Sequence, residues 1–176
     1  QRAESDALLG PHLDLYQIHS ATLDSGVLTD RVVLAQLSKY RAHGLAIGLT
    51  LSGAGQADTL RRALDVRVDG APLFDAVQAT WNLLEPSGGP PPADAYPAGM
   101  GVIVKEALAN GRLTSQNEDP AFASKRARLE QAAAAQGVGI DALALAAALA
   151  QPWADVVLSG AATVEHVRSN LQAAQV

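Results

Sequence analysis

The feature that most constrains this chain is a rhythm of short apolar runs, each followed by a longer stretch with helical spacing. The runs fall at residues 13–18, 45–51, 74–80, 101–105 and 155–159, and they are nearly continuous rather than alternating. A strand exposed on one face alternates apolar with polar residues, whereas one buried on both faces reads as unbroken Val, Ile and Leu. The runs therefore predict a parallel sheet covered by helices and joined by right-handed crossovers. Helices are predicted over 30–43, where Val33, Leu37 and Tyr40 share a face, and over 56–64, with Leu60 and Leu64 inward and Arg61 and Arg62 outward. Two more are predicted over 121–136 and over 142–150 behind a cap at Asp141. A final helix follows a cap at Thr163, with Val164, Val167 and Leu171 on one face and Glu165, Arg168 and Gln172 on the other. The proline-glycine run at 86–92 forbids regular structure, and a short helix is expected at 93–98. The fold class is α/β. Five βα units fit either an open doubly wound sheet or part of an eight-stranded barrel, and pattern alone supports both.

Composition narrows the class of function. With 176 residues, 48% hydrophobic and 18% charged, the chain is expected to be one globular domain or a large piece of one. Formal net charge is -5 with no block of Lys and Arg, so a nucleic-acid partner is not expected. Without cysteine there is neither a disulfide framework nor a thiolate zinc site, and the four His residues lack the His-Glu-x-x-His arrangement, so no metal site is expected. The longest apolar run, 142–150, is about half of the roughly 20 residues that span a bilayer, so no membrane segment and a cytoplasmic location are expected. The chain opens on Gln1 with no secretory pattern, and the expectation is that it begins mid-protein.

In a parallel α/β architecture chemistry gathers at the C-terminal ends of strands, and the polar residues that break the runs are His19, Thr50, Gln78, Lys105 and Ser159. His19 is placed to polarise a carbonyl or move a proton, or else to serve as a hydrogen-bonded structural residue. The amides of Gln78 and Asn82 suit a planar carboxamide ligand, or equally the nearby loop backbone. Lys105, after an apolar strand, must find water, a carboxylate or an anion, and Glu106 is its nearest candidate partner; a Schiff base with a carbonyl substrate is the rival chemistry. The small residues of 159–163 would let backbone N–H groups approach an anion at a helix N-terminus, although any short loop capped by Thr looks similar. Gly44 and Gly48 bracket a strand start, and Gly53 and Gly55 lack the third glycine of a Gly-x-Gly-x-x-Gly fingerprint, which disfavours a Rossmann site. No Gly-x-Ser-x-Gly elbow supports a hydrolase.

Taken in order, LDLYQIH at 13–19, IGLT at 47–50, Val77 and Gln78 with Asn82, GVIVKEALANGRLT at 101–114, and LSGAAT at 158–163 with Ser169 and Asn170 resemble the aldo/keto reductases along nearly the whole chain. The resemblance implies a (β/α)8 TIM barrel of which this chain supplies strands four to eight, and reversible hydride transfer from NAD(P)H to a small aldehyde or ketone. It implies that His19 is catalytic and sits beside the substrate carbonyl, that Thr50 and Gln78 flank the nicotinamide carboxamide, and that Lys105, Glu106, Ala107 and Leu108 line the cofactor trough. Ser159, Gly160, Ala161 and Thr163, with His166 and Asn170, would hold the adenosine-phosphate end. The implied cofactor is NADP, with NAD as the alternative.

The chain also departs from the family pattern. Leu51 stands where an Asn usually follows Thr50, Lys105 where an aromatic commonly stacks on the nicotinamide, and Gly160 and His166 where basic residues grip the 2'-phosphate. Arg168 is the candidate to compensate. The family's Asp, Tyr and Lys catalytic partners precede the His, and nothing before His19 supplies them, since Tyr16 lies within the strand. The expectation is an inactive piece that pairs with a missing N-terminal half of the barrel or self-associates. A second reading is a non-catalytic cofactor-binding scaffold or redox sensor, and a third is a Schiff-base lyase using Lys105.

Overall fold

The computed structural model describes residues 2–86 and 90–176. Five strands, β1 (Leu15–Ala21), β2 (Ala46–Leu51), β5 (Ala76–Thr80), β6 (Gly101–Lys105) and β7 (Val156–Val157), form one parallel sheet in the order β1-β2-β5-β6-β7. A two-stranded antiparallel ribbon, β3 (Arg67–Val68) and β4 (Ala71–Pro72), lies between β2 and β5 in sequence. The order of the parallel strands never reverses. A doubly wound sheet reverses at its switch point and a barrel wall does not, so the topology is that of a barrel wall. Among the described residues that wall is not closed, because β1 and β7 each have a strand neighbour on one side only.

The helices are α1 (Arg2–Leu9), α2 (Arg31–Ala42), α3 (Gln56–Leu64), α4 (Pro90–Ala95), α5 (Ala123–Ala135), α6 (Ile140–Leu149) and α7 (Val164–Leu171). In register, Leu49, Val77 and Val102 stand side by side on one face of the sheet, and Gly48, Ala76 and Gly101 on the other. The first face, with Ile47, Ala79 and Val104, is almost wholly buried against the helices. Each Val, Ile or Leu so buried contributes about 1.5–3 kcal/mol. The second face carries Thr50, Gln78, Thr80, Ile103 and Lys105, four of them only half-buried, as for a barrel interior seen from an open side. Gly48 belongs to this face for a steric reason: a Cβ there would sit 3.0 Å from the Ala76 carbonyl oxygen and 3.0 Å from Gln17 Cγ.

Local chemistry accounts for the element boundaries. Asp30 caps α2, its carboxylate accepting from the N–H groups of Val32 at 2.9 Å and Val33 at 3.2 Å. The ribbon turns on Asp69 and Gly70, both with positive φ (51° and 80°), the Asp-Gly signature of a tight hairpin that reading for parallel strands passed over. At the strand entrances, Asp75 Oδ2 accepts from Ile47 N–H at 2.9 Å and Asp155 Oδ2 from Val102 N–H at 2.7 Å, so each carboxylate ties its own strand start to its neighbour. Asp75 also receives Arg41 at 2.8 Å, and that hydrogen bond, helped by the opposite charge, raises the Arg41 guanidinium above its ordinary range.

Several boundaries differ from those expected. The first strand continues through His19 to Ala21, so His19 does not end it. The last strand shrinks to Val156–Val157. The short helix expected at 93–98 instead begins in the proline run as Pro90–Ala95, because the first turn of a helix needs no N–H from its residues; residues 87–89 of that run lie outside the described residues. Asp141 is not a cap: Gly139 takes that position, and Asp141 lies in the first turn of α6, where a carboxylate opposes the positive helix end. The apolar face of α7 is not buried either, with Val164, Val167 and Leu171 exposed at 60%, 46% and 67%. No single helix among the described residues is long and apolar enough to cross a membrane.

Candidate functional site

A cleft of about 630 Å³ opens at the C-terminal ends of β6 and β7, within the size range of small-molecule sites. One wall is the segment after β6, including Lys105, Glu106, Ala107, Leu108, Asn110 and Gly111. Its backbone is unusual: Glu106, Ala109, Asn110 and Gly111 all have φ between 51° and 86°. For the three residues other than glycine this left-handed conformation costs of order 1–3 kcal/mol each and persists only where surrounding bonds hold it. Those bonds are present. Asn82, almost fully buried, donates from Nδ2 to the Glu106 carbonyl at 3.0 Å, Ala109 N–H donates to the same carbonyl at 2.7 Å, and Leu113 N–H donates to the Leu108 carbonyl at 3.1 Å. Asn82 Oδ1 accepts from the N–H groups of Leu84 and Glu85, so this amide serves the loop backbone.

The opposite wall is the β7–α7 connection. Thr163 Oγ1 accepts from His166 N–H at 3.2 Å and starts α7, which turns Glu165, His166, Ser169 and Asn170 into the cleft with Ser159, Gly160 and Ala161 beside them. Buried Asn170 donates to the Ser159 carbonyl at 3.2 Å and pins the loop to the helix. Gly160 has φ +63°, and a Cβ built there meets nothing within 4 Å, so its backbone is open to a ligand's approach. Ala162 N–H donates to His166 Nδ1 at 3.4 Å.

Nine of the twelve expected cofactor residues line this cleft: Lys105, Glu106, Ala107, Leu108, Ser159, Gly160, Ala161, His166 and Asn170. Thr163 acts from behind as the helix cap. Thr50 and Gln78 do not line it. They stand in register on the open face of the sheet, Thr50 beside Gln78, and Thr80 beside Lys105 one step nearer the cleft. His19 is exposed at the end of β1, where the β1–β2 pairing is irregular between Ile18 and Ala21 and Ser20 takes φ 51°. Ser20 links two expected residues, its N–H donating to Thr50 Oγ1 at 2.8 Å and its hydroxyl lying 3.5 Å from His19 Nε2. Tyr16 packs edge-on against Tyr40 of α2, with ring centroids 5.8 Å apart.

Lys105 and Glu106 do not form the pair expected of them. Among the described residues Glu106 accepts from the Thr80 hydroxyl at 3.2 Å and no ion pair joins it to Lys105. Sequence reading also passed over Gln56, whose buried amide pairs with both the N–H and the carbonyl of Thr80 at 3.0 Å and holds the end of β5. Glu165 and Ser169 were missed as cleft residues because α7 was read by its apolar face; their spacing of one turn from each other, beside His166 and Asn170, was the available signal.

The model of the aldo/keto reductase family matches residues 5–176, and the chain belongs to that family. Among solved structures, an aldo-keto reductase from Bacillus halodurans in its holo form matches with a TM-score of 0.75 at 18% identity, over 99% of this chain and 59% of that one. An aldo/keto reductase from Klebsiella pneumoniae in complex with NADP and acetate matches with a TM-score of 0.71 at 20% identity, over 99% of this chain and 58% of that one. A thermostable aldo-keto reductase in complex with the inhibitor epalrestat matches at 0.68 and 20%, over 99% of this chain and 59% of that one. The chain thus spans under two thirds of the length of these relatives. A comparison with curated proteins finds no match.

Proposed function

We propose that this chain is the cofactor-holding wall of an aldo/keto reductase: five βα units supplying strands four to eight of a (β/α)8 barrel, which, once completed, reduces an aldehyde or ketone reversibly with NAD(P)H. The observation that carries this reading is the cleft between the β6 and β7 loops, which gathers nine of the twelve residues that the family resemblance implies hold the cofactor. Its donor set fits a dinucleotide. The start of α7 supplies a positive helix end, Gly160 leaves the backbone accessible, and Lys105 supplies an ammonium at the mouth.

In this reading Ser159 to Thr163, with His166 and Asn170, hold the adenosine-phosphate end, and Lys105 to Leu108 line the middle. Thr50 and Gln78 orient the carboxamide on the open face, and His19 orients the substrate carbonyl. The bound nicotinamide supplies the hydride. A carbonyl reduction also needs a proton, and among the described residues the side-chain contact of His19 is the Ser20 hydroxyl at 3.5 Å, not an acid. Tyr16 packs edge-on against Tyr40. The chain by itself is therefore inactive, and the proton-donating groups come from the segment that closes the barrel between the edges of β1 and β7. A cytoplasmic enzyme acting on a small carbonyl compound is the corresponding setting.

The test is titration of the natural full-length protein with NADH and NADPH, followed by cofactor fluorescence, and then aldehyde-dependent oxidation over a panel of aldehydes and ketones. Saturable binding with turnover supports the reductase. Binding without any turnover turns the reading into a cofactor-holding scaffold, and no binding of either cofactor removes it.

A further inference from the structure

The charges around the cleft are unequal, and their distribution bears on which cofactor it accepts. Of the lining residues one is a fixed cation, Lys105, and three are carboxylates, Glu106, Asp141 and Glu165. Lys105 and Glu106 lie at the end of β6 and just after it, which leaves Glu165 in the first turn of α7 and Asp141 in the first turn of α6 as the charges of the other wall. Among the described residues neither is neutralised by an ion pair. Two basic side chains lie on α7, Arg168 and His166. Arg168 is on the same helix as Glu165 but does not line the cleft. His166 does line it, and its Nδ1 faces back to the Ala162 N–H at 3.4 Å.

We propose, resting on the cofactor reading above, that this cleft selects NAD(H) over NADP(H), with Glu165 as the specificity-determining residue. The two cofactors differ only at the adenosine ribose, a hydroxyl in one and a phosphate in the other. A carboxylate beside that ribose accepts a hydrogen bond from the hydroxyl and repels the phosphate, the same logic by which an acidic residue selects NAD on unrelated dinucleotide sites. Glu165 is placed for it: it lies in the first turn of α7 and shares the cleft with Gly160, Ala161 and Ser169, and its exposed side chain is free to turn toward a ligand. Asp141 reinforces the sign from α6 without being essential to it.

The experiment measures dissociation constants of NADH and NADPH for the natural full-length protein by calorimetry, at low and moderate salt, and repeats them for Glu165→Lys and Asp141→Asn. NADH is expected to bind about tenfold or more tighter than NADPH at low salt, with the gap narrowing as salt screens the repulsion. Glu165→Lys should shift the ratio toward NADPH by about tenfold or more, and Asp141→Asn by less. Because Glu165 is exposed and Asp141 lies on a different helix, the two variants give independent checks should one fold poorly. Tighter NADPH binding by the unaltered protein, or a ratio unmoved by Glu165→Lys, overturns the selectivity and leaves the cofactor reading standing. No binding of either cofactor overturns both.

Discussion

Asp30, Gly160 and Arg41 show how single residues set this structure. Asp30 satisfies two of the free N–H groups that open α2, and its replacement by Ala is expected to destabilise the protein by about 1 kcal/mol in denaturant titration. Gly160 occupies a left-handed conformation in open space, so Gly160→Ala introduces strain without a clash. The expected loss is about 1 kcal/mol of stability together with weaker cofactor binding, the second readout separating a ligand-facing turn from a merely structural one. The Arg41–Asp75 pair is partly exposed, at 42% and 30% of its side chains, and Arg41→Ala should cost no more than about 1 kcal/mol. Because the guanidinium is raised, its share of stability is complete below its ordinary pKa and is lost only as pH climbs through the raised one, so unfolding curves should show no loss from Arg41 between neutral and mildly alkaline pH. Asp75→Ala should cost more than Arg41→Ala, since Asp75 also accepts the Ile47 N–H.

At the scale of elements, what was legible in the sequence was whatever depends on local period and capping. Gln56–Leu64 and Gly101–Lys105 fall where periodicity puts them, and Asp30 and Thr163 cap the helices they precede. Strand ends were less legible because a parallel ladder runs on as long as a neighbour offers partners, so polar His19 stays within a strand that side-chain polarity alone would have ended. Nine of the eighteen residues that line the cleft were named through family resemblance and not through spacing. Glu165 was not, because period assigns a face but cannot say whether it meets a core, a solvent layer or a ligand. The α7 face makes the same point from the other side: Val164, Val167 and Leu171 are apolar in pattern yet exposed here. A paired substitution reads this out. Leu49→Ala, at a fully buried position, is expected to cost about 2–5 kcal/mol in this chain, whereas Leu171→Ala should cost little.

For the whole molecule, an open parallel wall with one helix-covered face and one half-buried polar face is a structure that gains by closure. The isolated chain is expected to show no aldehyde-dependent cofactor oxidation, while the natural full-length protein does. The proposed cofactor role of Lys105 predicts that borohydride in the presence of carbonyl substrates traps no adduct on it; a trapped adduct would revive the Schiff-base reading. The central claim is the place of binding, and amide hydrogen exchange of the natural protein with and without NADH or NADPH tests it most directly. Protection concentrated in residues 105–116 and 158–170 is the result expected. Cofactor-induced protection elsewhere, with those two segments unchanged, would contradict it.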